Sequence, residues 1–393
     1  MRDKVNYKGS NKGDFLKEEK LIRAAIHSIP GIGGVRLRAL IEAFGSARSF
    51  WYRLKQENRS ENEKWLRKIR EHQKNCDLKV LEEWFQVNNI QIIIPEEEGY
   101  PHLLRHCVDA PPLLYYKGHL QTNVEALAIV GSRRSTPYGR SAAEFLAKDL
   151  AQEDIIVVSG LARGIDSAAH RGALKGNGIT WAVMGCGLLH MYPPENKSLA
   201  EEILDKKGAI WSEFYPTTPP TPQLFPVRNR LISGMSRGVV VVEAALRSGA
   251  LITVDFALEQ GREVFAIPGP IFSEQSKGTH HLLRQGAKLV ENYHDIASEI
   301  PTWTMRKQQG KNAQEDISDN KKTGKKGFTT APEGKEEHQK ILELLNYVPI
   351  HIDQIIQNTG LSPEEIPLYL LELQLAGKIE QLPGQLYVLA TRC

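Results

Sequence analysis

Residues 225–247 contain the residue types best suited to bind an anion. The segment reads FPVRNRLISGMSRGVVVVEAALR, and it holds Arg228, Asn229, Arg230 and Arg237 just before or at the start of an apolar run. A guanidinium group stays charged at any physiological pH, and its forked N–H donors match the oxygens of a phosphate. A solvated loop whose arginines pair with local carboxylates explains this segment equally well, so other parts of the chain must decide.

Three glycine-rich turns supply further groups that can bind an anion. They are Gly131-Ser132-Arg133-Arg134, the stretch 160–166 (GLARGID) and Gly185-Cys186-Gly187, and each follows an apolar run. Glycines let backbone N–H groups approach an anion, the N-terminus of a following helix adds a favourable dipole, and arginines add charge. Ligands of open α/β sheets bind at the carboxyl ends of the strands. The turns therefore predict a phosphate ligand at one sheet edge.

The sequence offers little support for catalysis or for a bound cofactor. It has neither the GxGxxG pattern of a dinucleotide site nor a Walker A motif. Asp166 and His170 are spaced i, i+4 and could form an acid–base pair, although a hydrogen bond on one helix face is the favoured interpretation. His280-His281 has no carboxylate or cysteine at ligand spacing and is expected in a loop. We therefore expect no catalytic residue, no metal and no cofactor.

Alternating strands and helices between residues 125 and 292 provide the frame that would position these groups. Apolar runs predict strands at Ala126–Val130, Ile155–Ser159, Thr180–Met184, Ala209–Ser212, Val239–Val242, Val264–Ile267 and Lys288–Val290. Helices are predicted at Gly139–Gln152, Asp166–Lys175 and Thr253–Gln260. Repeated β–α units predict an α/β fold, a Rossmann-like doubly wound parallel sheet.

Two further domains are expected beside the sheet. Residues 1–85 show helical spacing around a turn at Pro30–Gly33 (PGIG), which indicates a helical domain of the helix-hairpin-helix or SAM-like type. Residues 86–300 form the extended Rossmann-fold domain, including a strand at Ile90–Ile94 and a proline-rich connector. Residues 301–335 are polar and lysine-rich, which is typical of a flexible linker.

Residues 336–393 predict a winged-helix domain of three helices and a hairpin. Ser362, Pro363 and Glu365 suit the start of its third helix, and Pro383–Gly384 suits the hairpin turn. The domain has eight acidic and three basic residues, so duplex DNA would repel it and protein contact is expected. Pro367 leaves the geometry of the third helix open.

Bulk properties bound the location of the protein. The 393 residues carry a formal net charge of +3, and no apolar run is long enough for a membrane span. The charged N-terminus does not resemble a signal peptide, and the four cysteines form no CxxC pair. We therefore expect a cytoplasmic protein without a membrane partner.

Ordered motifs over residues 86–292 resemble the DprA/Smf family of DNA-processing proteins. The motifs are GSRRSTPYGR, SGLARGIDSAAH, FPVRNRLISGMS, VVVEA, RSGALIT, GREVFAIPG and GTHHLL. The resemblance implies a homodimeric, non-catalytic recombination mediator that binds single-stranded DNA, protects incoming DNA in natural transformation and loads the RecA recombinase. It also implies the DNA phosphate-binding residues Gly131, Ser132, Arg133, Ser159, Gly160, Arg163, Gly164, Arg228, Asn229 and Arg230.

Several details remain open from the sequence. Phe225 could stack on a base, but packing is the more common role of an aromatic after a proline-rich loop. The PGIG turn could hold a DNA phosphate or could be structural, and Lys321, Lys322, Lys325 and Lys326 of the linker could add DNA affinity.

The alternative function is a nucleotide phosphoribohydrolase-like enzyme with Glu243 as its acid. Such enzymes carry PGGxGT before a catalytic glutamate, whereas this chain has RSGALIT after Glu243. The departure disfavours the enzyme. A scaffold with a vestigial pocket is a third interpretation, which the intact arginines oppose.

Overall fold

The computed structural model describes residues 12–56, 64–300, 303, 335–345 and 349–390. Five helices open the chain: α1 Lys12–His27, α2 Gly34–Phe44, α3 Ala47–Gln56, α4 Lys64–Asn75 and α5 Leu78–Val87. Their buried residues share one apolar cluster with Ile92, Tyr115 and Ile210. The N-terminal helices therefore pack against the central sheet.

The PGIG turn joins α1 to α2, as the sequence predicts. Gly31 has φ +88°, a left-handed conformation that favours glycine, and Ile32 points into the core with 3% exposure. A Cβ at Gly34 would lie 3.4 Å from Cδ of Pro112. The turn thus packs against the connector that leads into the sheet.

A nine-stranded sheet forms the centre of the molecule. Its strands are β1 Gln91–Ile93, β2 Leu114–Gly118, β3 Ala126–Val130, β4 Ile156–Ser159, β5 Thr180–Val183, β6 Ala209–Ser212, β7 Gly238–Val241, β8 Glu263–Ala266 and β9 Lys288–Leu289. Their order is β1-β2-β6-β5-β4-β3-β7-β8-β9; the β1–β2 and β2–β6 pairs are antiparallel and the remaining pairs are parallel. The predicted parallel sheet is confirmed. Its Val and Ile runs are buried on both faces, which explains why they are apolar at every position.

Strand order reverses between β3 and β7. From β3 the chain proceeds outward through β4, β5 and β6, and then crosses to β7 on the other side of β3. Such a switch point leaves a crevice at the carboxyl ends of the two strands, where ligands of doubly wound folds bind.

Helices cover both faces of this sheet. They are α6 His102–Arg105, α7 Pro137–Gln152, α8 Ile165–Lys175, α9 Lys197–Asp205, α10 Leu224–Gly234, α11 Gly249–Glu259, α12 Lys277–Arg284 and α13 Tyr293–Glu299. Arg228, Asn229 and Arg230 therefore lie in the helix α10 and not in a loop. The loop predicted for His280-His281 is also wrong, since both residues lie in α12, where His280 Nε2 lies 3.0 Å from the Gly269 carbonyl oxygen.

The C-terminal residues form the predicted winged helix. Its elements are α14 Lys335–Leu344, β10 Ile350–His351, α15 Ile352–Thr359, α16 Ile366–Leu375, β11 Ile379–Leu382 and β12 Leu386–Leu389. The predicted start of the third helix at Ser362 is wrong. Ser362 Oγ accepts a bond from the Glu364 N–H at 3.3 Å in a preceding turn, and α16 begins at Ile366. Pro367 thus falls in the first helical turn, where its missing N–H costs little.

Some sequence-based expectations concern residues that the structure does not describe. The lysines of the predicted linker, Lys321, Lys322, Lys325 and Lys326, lie outside the described residues. Among the described helices, none is both long enough and apolar enough to cross a membrane.

Candidate functional site

A cavity of about 550 Å³ lies at the switch point between β3 and β7. Its walls come from the turn after β3, the turn after β4, α10 and the N-terminal turn of α11. We call it the switch-point cavity. Its position agrees with the sheet edge that the glycine-rich turns predict.

The turn after β3 approaches its neighbours too closely for a side chain at Gly131. A Cβ there would lie 2.6 Å from Ile165 Cγ1 and 2.9 Å from the Glu243 carbonyl oxygen. The next residue, Ser132, donates its N–H to that carbonyl at 2.7 Å. These contacts fix the backbone, so the exposed Arg133 projects from a rigid turn into the cavity.

The turn after β4 is built around a buried carboxylate. Asp166 Oδ2 accepts the N–H groups of Gly160 at 3.1 Å and of Ala162 at 3.4 Å. Gly164 has φ +75°, and a Cβ there would lie 2.3 Å from the Ser132 carbonyl oxygen. The two turns therefore interlock at the cavity edge.

Four predicted residues belong to this second turn, Ser159, Gly160, Arg163 and Gly164, and none of them lines the switch-point cavity. Ser159 is fully buried and donates its hydroxyl to the Ile129 carbonyl at 2.6 Å, so its side chain does not line the site. Arg163 is exposed and pairs with Glu195. It lines a smaller pocket of about 50 Å³ that shares Arg133, Phe225 and Arg228 with the switch-point cavity.

Arg228 is a buried cation in the cavity wall. Its side chain lies on α10 with 3% exposure, and its Nη1 donates to the carbonyls of Gly160, at 2.7 Å, and Val183. Desolvation lowers its pKa to about 10, with Asp166 opposing that effect and Arg133 adding to it. The guanidinium therefore keeps its charge at neutral pH while it is held mainly by neutral carbonyl groups.

Arg230 points away from the cavity. It lies two residues after Arg228 on the same helix, a spacing that places side chains on nearly opposite faces. Its Nη2 pairs with Glu213 and its Nη1 lies 3.3 Å from Asp109 Oδ2. The predicted role of Arg230 in completing the pocket is therefore wrong. Arg237 is also remote and forms a bidentate pair with Glu125.

Asn229 borders the cavity on its α11 side. Its Oδ1 accepts Arg228 Nε at 3.2 Å, and its Nδ2 donates to the Gly249 carbonyl at 3.3 Å. The side chain thus connects the buried arginine to the first turn of α11, whose N-cap Ser248 also lines the cavity.

The Phe225 ring packs in the structure, which is one of the two roles that the sequence left open. A Cβ at Gly185 would lie 2.5 Å from Phe225 Cδ1, which shows that the ring packs on that turn. The Tyr192 ring lies 5.3 Å away, centroid to centroid, and Arg133 Cζ lies 5.1 Å from the Phe225 centroid. The ring also lines the cavity, and the Arg133 guanidinium lies over it in a cation–π contact.

Glu243 and His170, which the sequence raised as possible acids or bases, are both buried and bonded within the fold. Glu243 is 2% exposed. Its carboxylate accepts hydrogen bonds from the backbone N–H of Thr136 at 2.8 Å and from the hydroxyl of Thr136 at 2.5 Å. The predicted Asp166–His170 hydrogen bond is wrong, because His170 Nδ1 instead contacts Thr180 Oγ1 at 2.7 Å. Burial lowers the pKa of His170 to about 3.

Several cavity residues were not found from the sequence. Tyr192, Thr253 and Gln275 all line the cavity. An aromatic shortly after the Gly185–Gly187 turn was an available signal for Tyr192, whereas nothing local marks the other two. Within the described residues, no group of three or more His, Cys, Asp or Glu side chains could hold a metal ion.

Comparison with known proteins identifies relatives over most of the chain. Residues 91–301 match the family model of DNA recombination-mediator protein A, and residues 329–385 match that of the DprA winged helix domain. Protein Smf of Escherichia coli (strain K12) is 39% identical over 314 residues, which cover 79% of this chain and 80% of that protein. DNA processing protein DprA of Streptococcus pneumoniae is 44% identical over 205 residues, 52% of this chain and 72% of that protein.

Structural comparison agrees with these matches. The X-ray structure of DNA processing protein A (DprA) from Streptococcus pneumoniae is 34% identical, with a TM-score of 0.61 over 71% of this chain and 97% of that one. The resemblance found in the motifs is thereby confirmed. On its sheet, its winged helix and these relatives, the chain belongs to the DprA/Smf family of DNA recombination-mediator proteins.

Proposed function

We propose that this recombination mediator binds single-stranded DNA through the switch-point cavity, without catalysis. The observation that carries the proposal is the geometry of Arg228, a buried guanidinium held by neutral carbonyls beside the exposed Arg133 and the Phe225 ring. Cations bind the phosphates of a strand, and an aromatic face stacks on a base of any sequence. Gly131, Ser132, Gly160, Gly164 and Asn229 shape the site, and Arg163 extends it.

The alternative enzyme is disfavoured by the state of Glu243. Its carboxylate is occupied by Thr136 and does not line the switch-point cavity. A general acid must reach the bond that it protonates. The arginines of the cavity are arranged to hold an anion, and Asp166, the acid beside them, is buried and accepts the backbone N–H groups of Gly160 and Ala162.

The proposal includes the wider role that the family resemblance implies. The protein would act in the cytoplasm, protect incoming DNA during natural transformation and load RecA onto it. A homodimer is supported by exposed apolar residues: Leu289 of the edge strand β9 is 49% exposed, and Ile271 and Phe272 in the loop after β8 are 73% and 93% exposed. Sedimentation of Leu289→Glu would test the dimer, and RecA ATPase on protein-coated single strands would test loading.

The decisive experiment measures binding of single-stranded and duplex DNA across a salt series. Arg133→Ala and Arg228→Ala should each weaken single-strand binding, while Arg171→Ala should not, because Arg171 is exposed on α8 and does not line the cavity. Unchanged affinity in both cavity variants would refute the assignment. Release of ribose 5-phosphate from AMP would instead establish the enzyme.

A further inference from the structure

Helix α16 of the winged helix is apolar on both of its faces. Ile366, Leu370 and Leu373 are buried in the domain core, with at most 2% exposure. A surface helix usually places polar residues opposite such a buried face. Here the opposite face instead carries further leucines, so the sequence of α16 resembles that of a helix covered on both sides.

The exposed leucines form one continuous stripe. Leu368 is 55%, Leu371 52% and Leu375 80% exposed, and their spacing of i, i+3 and i+7 places them along one side of the helix. We call them the leucine stripe. Single exposed apolar residues are ordinary, but a contiguous apolar patch marks an interaction site.

Acidic residues surround this stripe. Glu364 and Glu365 precede α16 and are exposed, and Glu372 follows Leu371 on the helix. Burial and then the charges of Glu365, Glu337 and Glu372 raise the pKa of Tyr369, so all three carboxylates act on this one residue of α16. Residues 362–375 contain no lysine or arginine.

We propose that the leucine stripe docks a helix of a partner protein that carries an apolar stripe flanked by lysines or arginines. Apolar burial would supply affinity, and the acidic rim would select the basic partner. A second copy of this chain fits poorly, because its rim would repel the same carboxylates. Nucleic acid is excluded by the same charge. The inference goes beyond DNA binding and does not depend on the switch-point cavity.

The test uses the full chain and a labelled 18-residue peptide of leucine and lysine, with leucines at helical i, i+3, i+4 and i+7 spacing. Fluorescence anisotropy should show saturable binding. Leu371→Ser combined with Leu375→Ser should weaken it at least tenfold, as expected for a central apolar contact. Val35→Ser is the matched control, because Val35 is 84% exposed on α2 of the N-terminal helices.

Two further arms test the parts of the proposal separately. A peptide of glutamine and lysine with the same charge should bind at least tenfold more weakly, and Glu364→Gln with Glu365→Gln should reduce the salt dependence of Leu/Lys peptide binding. Equal peptide affinity for wild type and the double leucine variant, with both folded by circular dichroism, would overturn the proposal. Self-association through the winged helix that the leucine substitutions abolish would overturn it in favour of a second copy.

Discussion

Arg228 and Arg230 should give opposite results when each is replaced by methionine. Arg228 faces the switch-point cavity and is held by carbonyls, whereas Arg230 is 14% exposed and pairs with the 11% exposed Glu213. Methionine keeps most of the length of the side chain and removes its charge. The pair of substitutions therefore separates an arginine that binds a ligand from one that stabilises the fold.

The magnitudes follow from the two environments. A hydrogen bond to a charged group contributes about 1.5–3 kcal/mol, so Arg228→Met should weaken single-strand binding roughly 10- to 150-fold. Loss of one phosphate contact should also reduce the slope of log affinity against log salt by about 0.7. Breaking a buried ion pair costs about 3–5 kcal/mol, so at a pH above the Glu213 pKa of about 7, where its carboxylate is ionised, Arg230→Met should lower the unfolding temperature by roughly 6 to 20 °C.

The assay measures anisotropy of a labelled oligonucleotide at a temperature where every variant is folded, together with calorimetry. Arg237→Met is the matched control from the same segment, because the Arg237–Glu125 ion pair lies outside the cavity. The Arg237 side chain is also 34% exposed to solvent. It should alter neither affinity nor stability strongly. If folded Arg230→Met loses as much affinity as Arg228→Met, the assignment of the two helix faces to different roles is wrong.

Three further outcomes are expected. Gly160→Ala should weaken DNA binding, because the added Cβ would lie 2.6 Å from the Arg228 Nη atoms and displace them. Titration with single-stranded DNA measures the affinity of this variant, and an affinity equal to that of the wild type would contradict the prediction. Glu243→Gln should cost about 1–3 kcal/mol of stability through its bonds to Thr136, with DNA affinity within twofold by anisotropy. Burial raises the pKa of Glu213 from 4.5 to about 7, so the folded state binds this proton more tightly and stability should fall as pH rises between these values. Calorimetry of Glu213→Gln should show a flatter profile over that range, and an unchanged slope would refute the attribution.

The sheet could be predicted from the sequence because its signal is local. Runs such as Val239–Val242 are apolar at every position, which only a strand buried on both faces requires, and the observed β7 differs by one residue at each end. The glycine-rich turns were predictable for a similar reason. Gly131 and Gly164 lie where a side chain would collide with backbone atoms, so the residue type itself reports the close approach.

The helix starts were harder because the same residues serve turns and caps. Ser362-Pro363-Glu364-Glu365 satisfies the pattern of a helix N-terminus, yet Ser362 Oγ closes a turn with the Glu364 N–H and the helix begins four residues later. Pro226 and two arginines likewise made the residues of α10 resemble a polar loop in the sequence. Because the segment was not recognised as a helix, Arg228 and Arg230 could not be assigned to different helix faces.

The hydrogen-bond acceptors of each arginine in residues 225–247 explain why the sequence of this segment allowed two interpretations. The interpretation as local ion pairs holds for Arg230 and Arg237, whereas phosphate binding is our proposal for Arg228. Arg230 and Arg237 are paired with the carboxylates Glu213 and Glu125, so little of their charge remains for a ligand. Arg228 is bonded to carbonyls that orient it without neutralising it, at the desolvation cost that lowers its pKa. A buried cation held in this way would be stabilised further by an anion, so we expect the cavity at Arg228, and not the arginine-rich segment as a whole, to bind the ligand.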